Sequence, residues 1–271
     1  MKKITTILFL FSFITHIGFS QTTLTTGDIA FVGYNGDFSS GSDDFSFILL
    51  KNITINTTIT FTDKGWLASG GFRVDGLADC NSENTIIWTA GSALTIGKIV
   101  TIKGFNAKVD GATNGSVSPS PGACPALNFT SSGESLFAYQ GVTPTVGNET
   151  NFLAAINMNG GAWGSNSTST STSAKPTVFT DGTNSLTISP ENDNAVYKGS
   201  LSGSVATLRA NVNNQTNWVK NNITPYTLPA DIGAANATPA IGGTTSGQAV
   251  NDNVTISPFS AITTSDADGD N

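Results

Sequence analysis

The sequence predicts an all-β fold, two sheets stacked as a sandwich with long loops and one short helix, and three observations carry that expectation. Short apolar runs alternate with turn-rich stretches, most densely between Gly27 and Trp66. Charged residues make up only 11% of the chain, so Thr, Ser and Asn must wet most of the surface. The 29 glycines provide the many turns that such a fold requires.

The Gly27–Trp66 block supplies three strands, Asp28–Tyr34, Phe45–Ile53 and Thr57–Thr62. In the third, Ile59 and Phe61 share one parity and Thr58, Thr60 and Thr62 the other, which predicts one buried and one wet face. The first two are apolar on both parities, as in strands covered on both sides. Leu67–Glu83 is Gly-rich and reads as a loop carrying Phe72 and Arg73. Strand signals return at Thr85–Thr89, where Ile86 and Trp88 share a parity, and at Ile99–Phe105; the short connection Ala90–Gly97 predicts a hairpin. Ala107–Pro125 reads as loop, then Ser135–Tyr139 and Phe152–Ile156 as strands. Ser165–Ser173 has no apolar side chain and reads as a surface loop or a locally disordered one. Phe179, Leu186, Ile188, Val196 and Tyr197 mark the last strand-like pieces. Between Gly203 and Asn221 the period changes: Val205, Leu208, Val212 and Val219 fit one helical face, with Ser202 or Ser204 as its cap.

The first 20 residues stand apart. Lys2 and Lys3 precede an apolar run, Ile4–Ile17, and Gly18 and Ser20 are small residues before Gln21, the pattern of a secretory signal cleaved after Ser20. Ser12, Thr15 and His16 interrupt the run, which is short for a membrane span; an uncleaved anchor is the competing reading. No later stretch is apolar enough to cross a bilayer. Localisation is therefore expected to be secreted, extracellular or at a bacterial cell surface. Removing Lys2 and Lys3 leaves 10 basic against 19 acidic residues, a net charge of −9, so a basic nucleic-acid footprint is absent. Cys80 and Cys124 both lie beyond the signal, in a compartment where disulfides persist. A bridge between them would close a loop of roughly 45 residues, a constraint of about 4 kcal/mol on the chain-entropy model. Two free thiols are the alternative.

Pro225, Pro229 and Pro239 punctuate a linker-like composition between Pro225 and Ala240, after which a new strand-and-turn pattern begins. The expected organisation is a signal at 1–20, a sandwich at 22–233, a linker at 234–240 and the opening of a second β module at 241–271. The chain is accordingly read as the N-terminal part of a longer protein.

Two stretches carry a resemblance. DIAFVGYN, DDFSFILLKNI and TTITFTDKGW, followed by ENTIIWTAG and SGESLFAYQG, look like a domain recurring near the N-termini of large secreted bacterial surface proteins. Their order also resembles the lamin-tail type of immunoglobulin-like sandwich, with Ile29–Tyr34, Asp44–Leu50, Ile59–Trp66 and Ser132–Glu134 as the matching pieces. The C-terminal ATPAIGGTTSGQAVNDNVTISPFSAITTSDADGDN resembles the start of a cadherin-like or related adhesin repeat. That resemblance implies calcium at Asp266, Asp268 and Asp270. Three carboxylates need further oxygens to complete a calcium shell of six to eight, and a merely solvated acidic turn is the alternative.

Catalytic chemistry finds little support. The one histidine, His16, lies in the signal, which leaves the mature chain without imidazole for a Ser-His-Asp or Cys-His arrangement. Glu83, Glu134, Glu149 and Glu191 supply carboxylates for a glycosidase-type pair, yet acidic residues in β loops are usually just hydrated. Asp37, Asp43 and Asp44, with Asp28 and Asp63, form a second calcium candidate set against ordinary turn chemistry. Among the tryptophans, Trp88 is expected in the core, and Trp163, between Gly-rich segments and the Ser/Thr tract, is the candidate glycan contact. The expected function is a non-catalytic module for adhesion or display, whose partner is an extracellular surface, glycan or protein ligand. The alternatives are a carbohydrate-binding module and an accessory domain of a large secreted hydrolase.

Overall fold

A computed structural model describes residues 20–36, 43–74, 83–120, 126–233, 240–242 and 263–265. The strands, in chain order, are β1 (Ile29–Asn35), β2 (Asp44–Leu49), β3 (Thr58–Thr62), β4 (Thr85–Thr89), β5 (Ile99–Lys103) and β6 (Asn106–Val109). They continue as β7 (Ala112–Thr113), β8 (Ser116–Pro119), β9 (Ser135–Tyr139), β10 (Phe152–Asn157), β11 (Ser185–Thr187) and β12 (Asn194–Tyr197). Helix α1 (Val205–Val212) and β13 (Trp218–Asn221) complete the main body. A seven-stranded sheet runs β13-β12-β1-β2-β5-β6-β7, and a six-stranded sheet runs β11-β10-β9-β3-β4-β8. All pairs are antiparallel except β10 with β11. Separately, β14 (Ala240–Gly242) pairs antiparallel with β15 (Thr263–Ser265). No helix among the described residues is long and apolar enough to cross a membrane.

Alternation explains the core. Phe31 of β1, Phe45 and Phe47 of β2, Phe61 of β3 and Trp88 of β4 turn inward and are buried. Their rings pack at tilted or edge-on angles, with Phe61 4.9 Å from Phe45, 5.0 Å from Phe47 and 6.2 Å from Phe31. Such edge-rich contacts suit the aromatic quadrupole. Trp88 lies in the core as its parity predicts, and its indole N–H donates to the Asn114 carbonyl at 3.0 Å.

The face of β3 expected to be wet is largely covered. Phe137 and Tyr139 of β9 and Phe152 of β10 share that side with Thr60 and Thr62. Loops carrying Trp66, Phe72, Trp163 and Phe179 fold over them into a second aromatic cluster. Hydrogen bonds from the Ser/Thr tract hold this cover in place, so the tract is an ordered surface loop. Thr172 Oγ1 accepts from the backbone of Thr168 and Ser169 at 2.8 and 2.9 Å, and Ser173 Oγ accepts from Trp66 N at 2.8 Å. Hydroxyls do here what apolar side chains do in the core.

Further expectations are corrected. The β4–β5 hairpin does not form: β4 pairs with β3 and β8, while β5 crosses to the other sheet and pairs with β2 and β6. Ala107–Pro125, read as loop, holds β7, β8 and most of β6, whose alternating signal rests on only Ala107, Val109 and Val117 as buried residues. The helix is capped by Ser204, whose side chain accepts from Thr207 N at 3.1 Å, but ends at Val212. Asn214 then caps a 3-10 turn, and Val219 lies on β13 at 42% exposure instead of on a buried helical face. Asn side chains compete for backbone partners and end the helix there. Beyond β13, residues 225–233 form a strap despite their linker-like composition: Tyr226 and Leu228 pack on the core, and Tyr226 exchanges two hydrogen bonds with the Asn35 amide.

The chain changes sheets between β7 and β8 at Gly115, where φ is +78° and an added Cβ would stand 1.8 Å from the Thr89 carbonyl. Gly115→Ala should therefore destabilise by about 3 kcal/mol or more, from strain and overlap combined, which equilibrium denaturation would measure. An unchanged midpoint would show that this corner is soft.

Candidate functional site

Four acidic side chains mark one pole of the sandwich. Asp43 directly precedes β2, Asp63 directly follows β3, Glu83 stands two residues before β4, and Glu134 directly precedes β9. Glu83 and Glu134 were expected to be hydrated, and Asp43 and Asp63 to be calcium ligands or ordinary turn residues, yet all four are buried, with exposures of 6%, 0%, 6% and 1% in the order above. Where a strand ends, the next loop's backbone N–H groups lose their ladder partners, and these carboxylates take them up.

Asp63 accepts from Asn84 N at 2.5 Å and from Asn128 N at 3.1 Å, one bond to each oxygen. Asp43 accepts from Phe129 N. Two strands from opposite sheets thus grip the same segment, whose Leu127 and Phe129 plug the core. Glu83 pairs with Arg73 at 2.5 Å and accepts from Gly65 N at 3.3 Å. Glu134 Oε1 accepts from Ser135 N at 2.9 Å, while its buried Oε2 lacks a well-aligned partner among the described residues.

Burial raises the Asp63 pKa from its ordinary 3.8 to about 7, against the bonds from Asn84 and Asn128 and with help from the Glu83 charge. Glu134 is also raised, first by burial and then by the neighbouring Asp63 and Glu83 charges. Both carboxyls are thus shifted toward the protonated form. Their near-zero exposure bars a saccharide or peptide from reaching either carboxyl, so the cluster is suited to pinning loops.

Of the acidic residues grouped in sequence as a second calcium candidate, Asp43 and Asp63 meet at this pole, while Asp28 and Asp44 turn to other partners. Asp28 accepts from Thr25 N at 2.7 Å and from Lys51 at 3.1 Å, at the start of β1. Asp44 accepts from Asn35 Nδ2 at 2.6 Å and lies 3.9 Å from Lys103, and burial raises its pKa. Asp37 lies outside the described residues. Among the described residues no group of three or more His, Cys, Asp or Glu side chains could hold a metal ion. Asp266, Asp268 and Asp270 lie outside the described residues, as do Cys80 and Cys124.

Trp163 is half-buried. Its ring centroid is 5.6 Å from that of Phe137, and its indole N–H donates to Asp181 Oδ1 at 3.0 Å. The anchoring role of Asp43, Asp63 and Glu83 went unread in the sequence because their partners return from 10 to 86 residues away. The one legible hint is placement, an acid immediately flanking an alternating apolar run.

Fold and site together define an all-β sandwich whose loops are pinned to its frame by buried carboxylates. No family model, curated protein or solved structure matches the chain.

Proposed function

We propose that this chain is a non-catalytic secreted or cell-surface module of a larger bacterial adhesin-like protein, serving adhesion or display. The sandwich is taken to be of the immunoglobulin-like, lamin-tail-like kind. The observation that carries the reading is the pinned pole: Asp43, Asp63 and Glu83 spend their oxygens on loop backbone or on Arg73. Loops so held present a fixed surface at little ordering cost on binding. In the same proposal, Cys80 and Cys124 form a disulfide, and calcium at Asp266, Asp268 and Asp270 stiffens the module that follows.

A second reading, carbohydrate recognition, is favoured by Trp163, an aromatic ring left half-exposed and held by Phe137 and Asp181. The purified chain should bind an immobilised glycan or matrix-protein panel while turning over no glycoside, ester or peptide substrate. Turnover that disappears in Glu134→Gln would overturn the non-catalytic reading.

A further inference from the structure

The face of the seven-stranded sheet that points away from the core is covered over β1 and open beside it. Phe45 of β2, Val100 and Ile102 of β5, and Ala107 and Val109 of β6 turn inward and are buried. By alternation, Asp44, Thr101, Lys103, Asn106 and Lys108 share the opposite face. Register brings them together: Asp44 stands opposite Lys103, Lys103 opposite Asn106, and Thr101 opposite Lys108. The 225–233 strap lies over β1, where a Cβ added to Gly33 would stand 2.8 Å from Leu228 Cδ2. Leu228 and those five side chains line a groove of about 410 Å³. That volume falls within the ~300–1,000 Å³ range of small-molecule sites.

The charges in this groove are incompletely matched. Asp44 Oδ1 accepts from Asn35 Nδ2 at 2.6 Å, whereas Oδ2 has only Lys103 Nζ, 3.9 Å away and beyond hydrogen-bond reach. The Asp44 side chain keeps 9% exposure and lines the groove, so an occupant can reach it. Burial raises its pKa against the Asn35 bond and the Lys103 charge, the mark of a carboxylate short of hydration. Lys108 is exposed and has no partner among the described residues, since Asp110, just beyond it, pairs with Lys98 at 2.6 Å. Two ammonium groups against one carboxylate leave one positive charge in excess, in a chain of net charge −7. A singly charged anion balances that excess, while a phosphate dianion would exceed it beside Asp44. Asp44 also calls for an O–H donor, which an acidic peptide side chain, being ionised, does not bring. A uronic-acid ring carries one carboxylate, vicinal hydroxyls and a C–H face that can lie against Leu228. We propose that this groove binds an acidic saccharide of the uronate class, its carboxylate paired with Lys108 and Lys103 and a ring hydroxyl donating to Asp44. Trp163 packs on the other sheet, and this assignment does not depend on it.

The test is calorimetric titration of the full chain with oligogalacturonate, oligomannuronate and oligoglucuronate, each beside its neutral parent. Inorganic phosphate and an oligoglutamate peptide complete the panel. At least one oligouronate should bind about tenfold or more tightly than its parent, and added salt should weaken it. Lys108→Gln deletes the unpaired ammonium, and Asn106→Asp sets a second carboxylate on the groove. Each should leave the melting temperature within error and weaken binding about tenfold. Lys175→Gln, which deletes an equal charge from the Asp181 pair beside Trp163, should leave binding unchanged. Failure of every oligouronate, or binding that both groove variants leave intact, would overturn the site. So would an equal loss in Lys175→Gln, which would show a response to net charge alone. Neutral parents binding as tightly would refute the acidic class, and tighter binding of phosphate or oligoglutamate would refute the saccharide.

Discussion

Thermal melts should show this protein losing stability as the pH rises from about 4 to about 8. The cause is Asp63, whose pKa rises from 3.8 to about 7 when burial strips water from its carboxyl. A carboxyl with a raised folded-state pKa binds its proton more tightly in the native chain than in the unfolded one. Its contribution is complete below pH 3.8 and is lost as the pH climbs through about 7, a change of up to about 4 kcal/mol. Glu134 shifts in the same direction and adds to the same slope. The charged groups facing these two carboxyls are Glu83 and, through Glu83, Arg73. Glu134→Gln keeps the oxygen that accepts from Ser135 N and removes one titrating group, so it should raise stability near pH 8 and flatten the slope. A wild-type melting temperature level or rising across this range would show that these carboxyls do not hold a proton.

Phe61→Ala should cost about 3–5 kcal/mol, because the ring is fully buried and touches Phe31, Phe45 and Phe47 across the two sheets. For a body of this size that lowers the melting temperature by roughly 10 °C. Val219→Ala is the matching control. On a buried helical face Val219 would be costly to truncate, but on β13 at 42% exposure its loss should stay within about 0.5 kcal/mol. A large loss at Val219 with a small one at Phe61 would mean that the assigned register and core are wrong.

The strands that dominate the core were legible because their signal is local. Thr85–Thr89 and Ser135–Tyr139 coincide with β4 and β9 residue for residue, and β1, β2, β3, β5 and β10 are displaced only at their ends. Their apolar runs mark the side chains that form the core, although the Thr face of β3 is buried as well. The short strands β6, β7 and β8, at or next to a sheet edge, were illegible, since a strand with at most two buried residues has no period to detect. β13 was misread for a related reason: Val212 and Val219 lie a helical repeat apart, although two Asn-rich turns separate them. Trp163 was singled out from its setting, but neither its packing on Phe137 nor its bond to Asp181 could be read from neighbours in sequence.

What the amino-acid order settled is therefore the all-β class, the buried parity of each long strand and the single capped helix, since these follow from side chains and near neighbours along the chain. Folding in three dimensions decided which sheet each strand joins, that Asp63 and Glu134 leave water, and that hydroxyl-rich loops cover an aromatic face. Those outcomes turn on contacts between residues dozens of positions apart. Burial, unlike periodicity, belongs to an atom only once its distant neighbours have arrived.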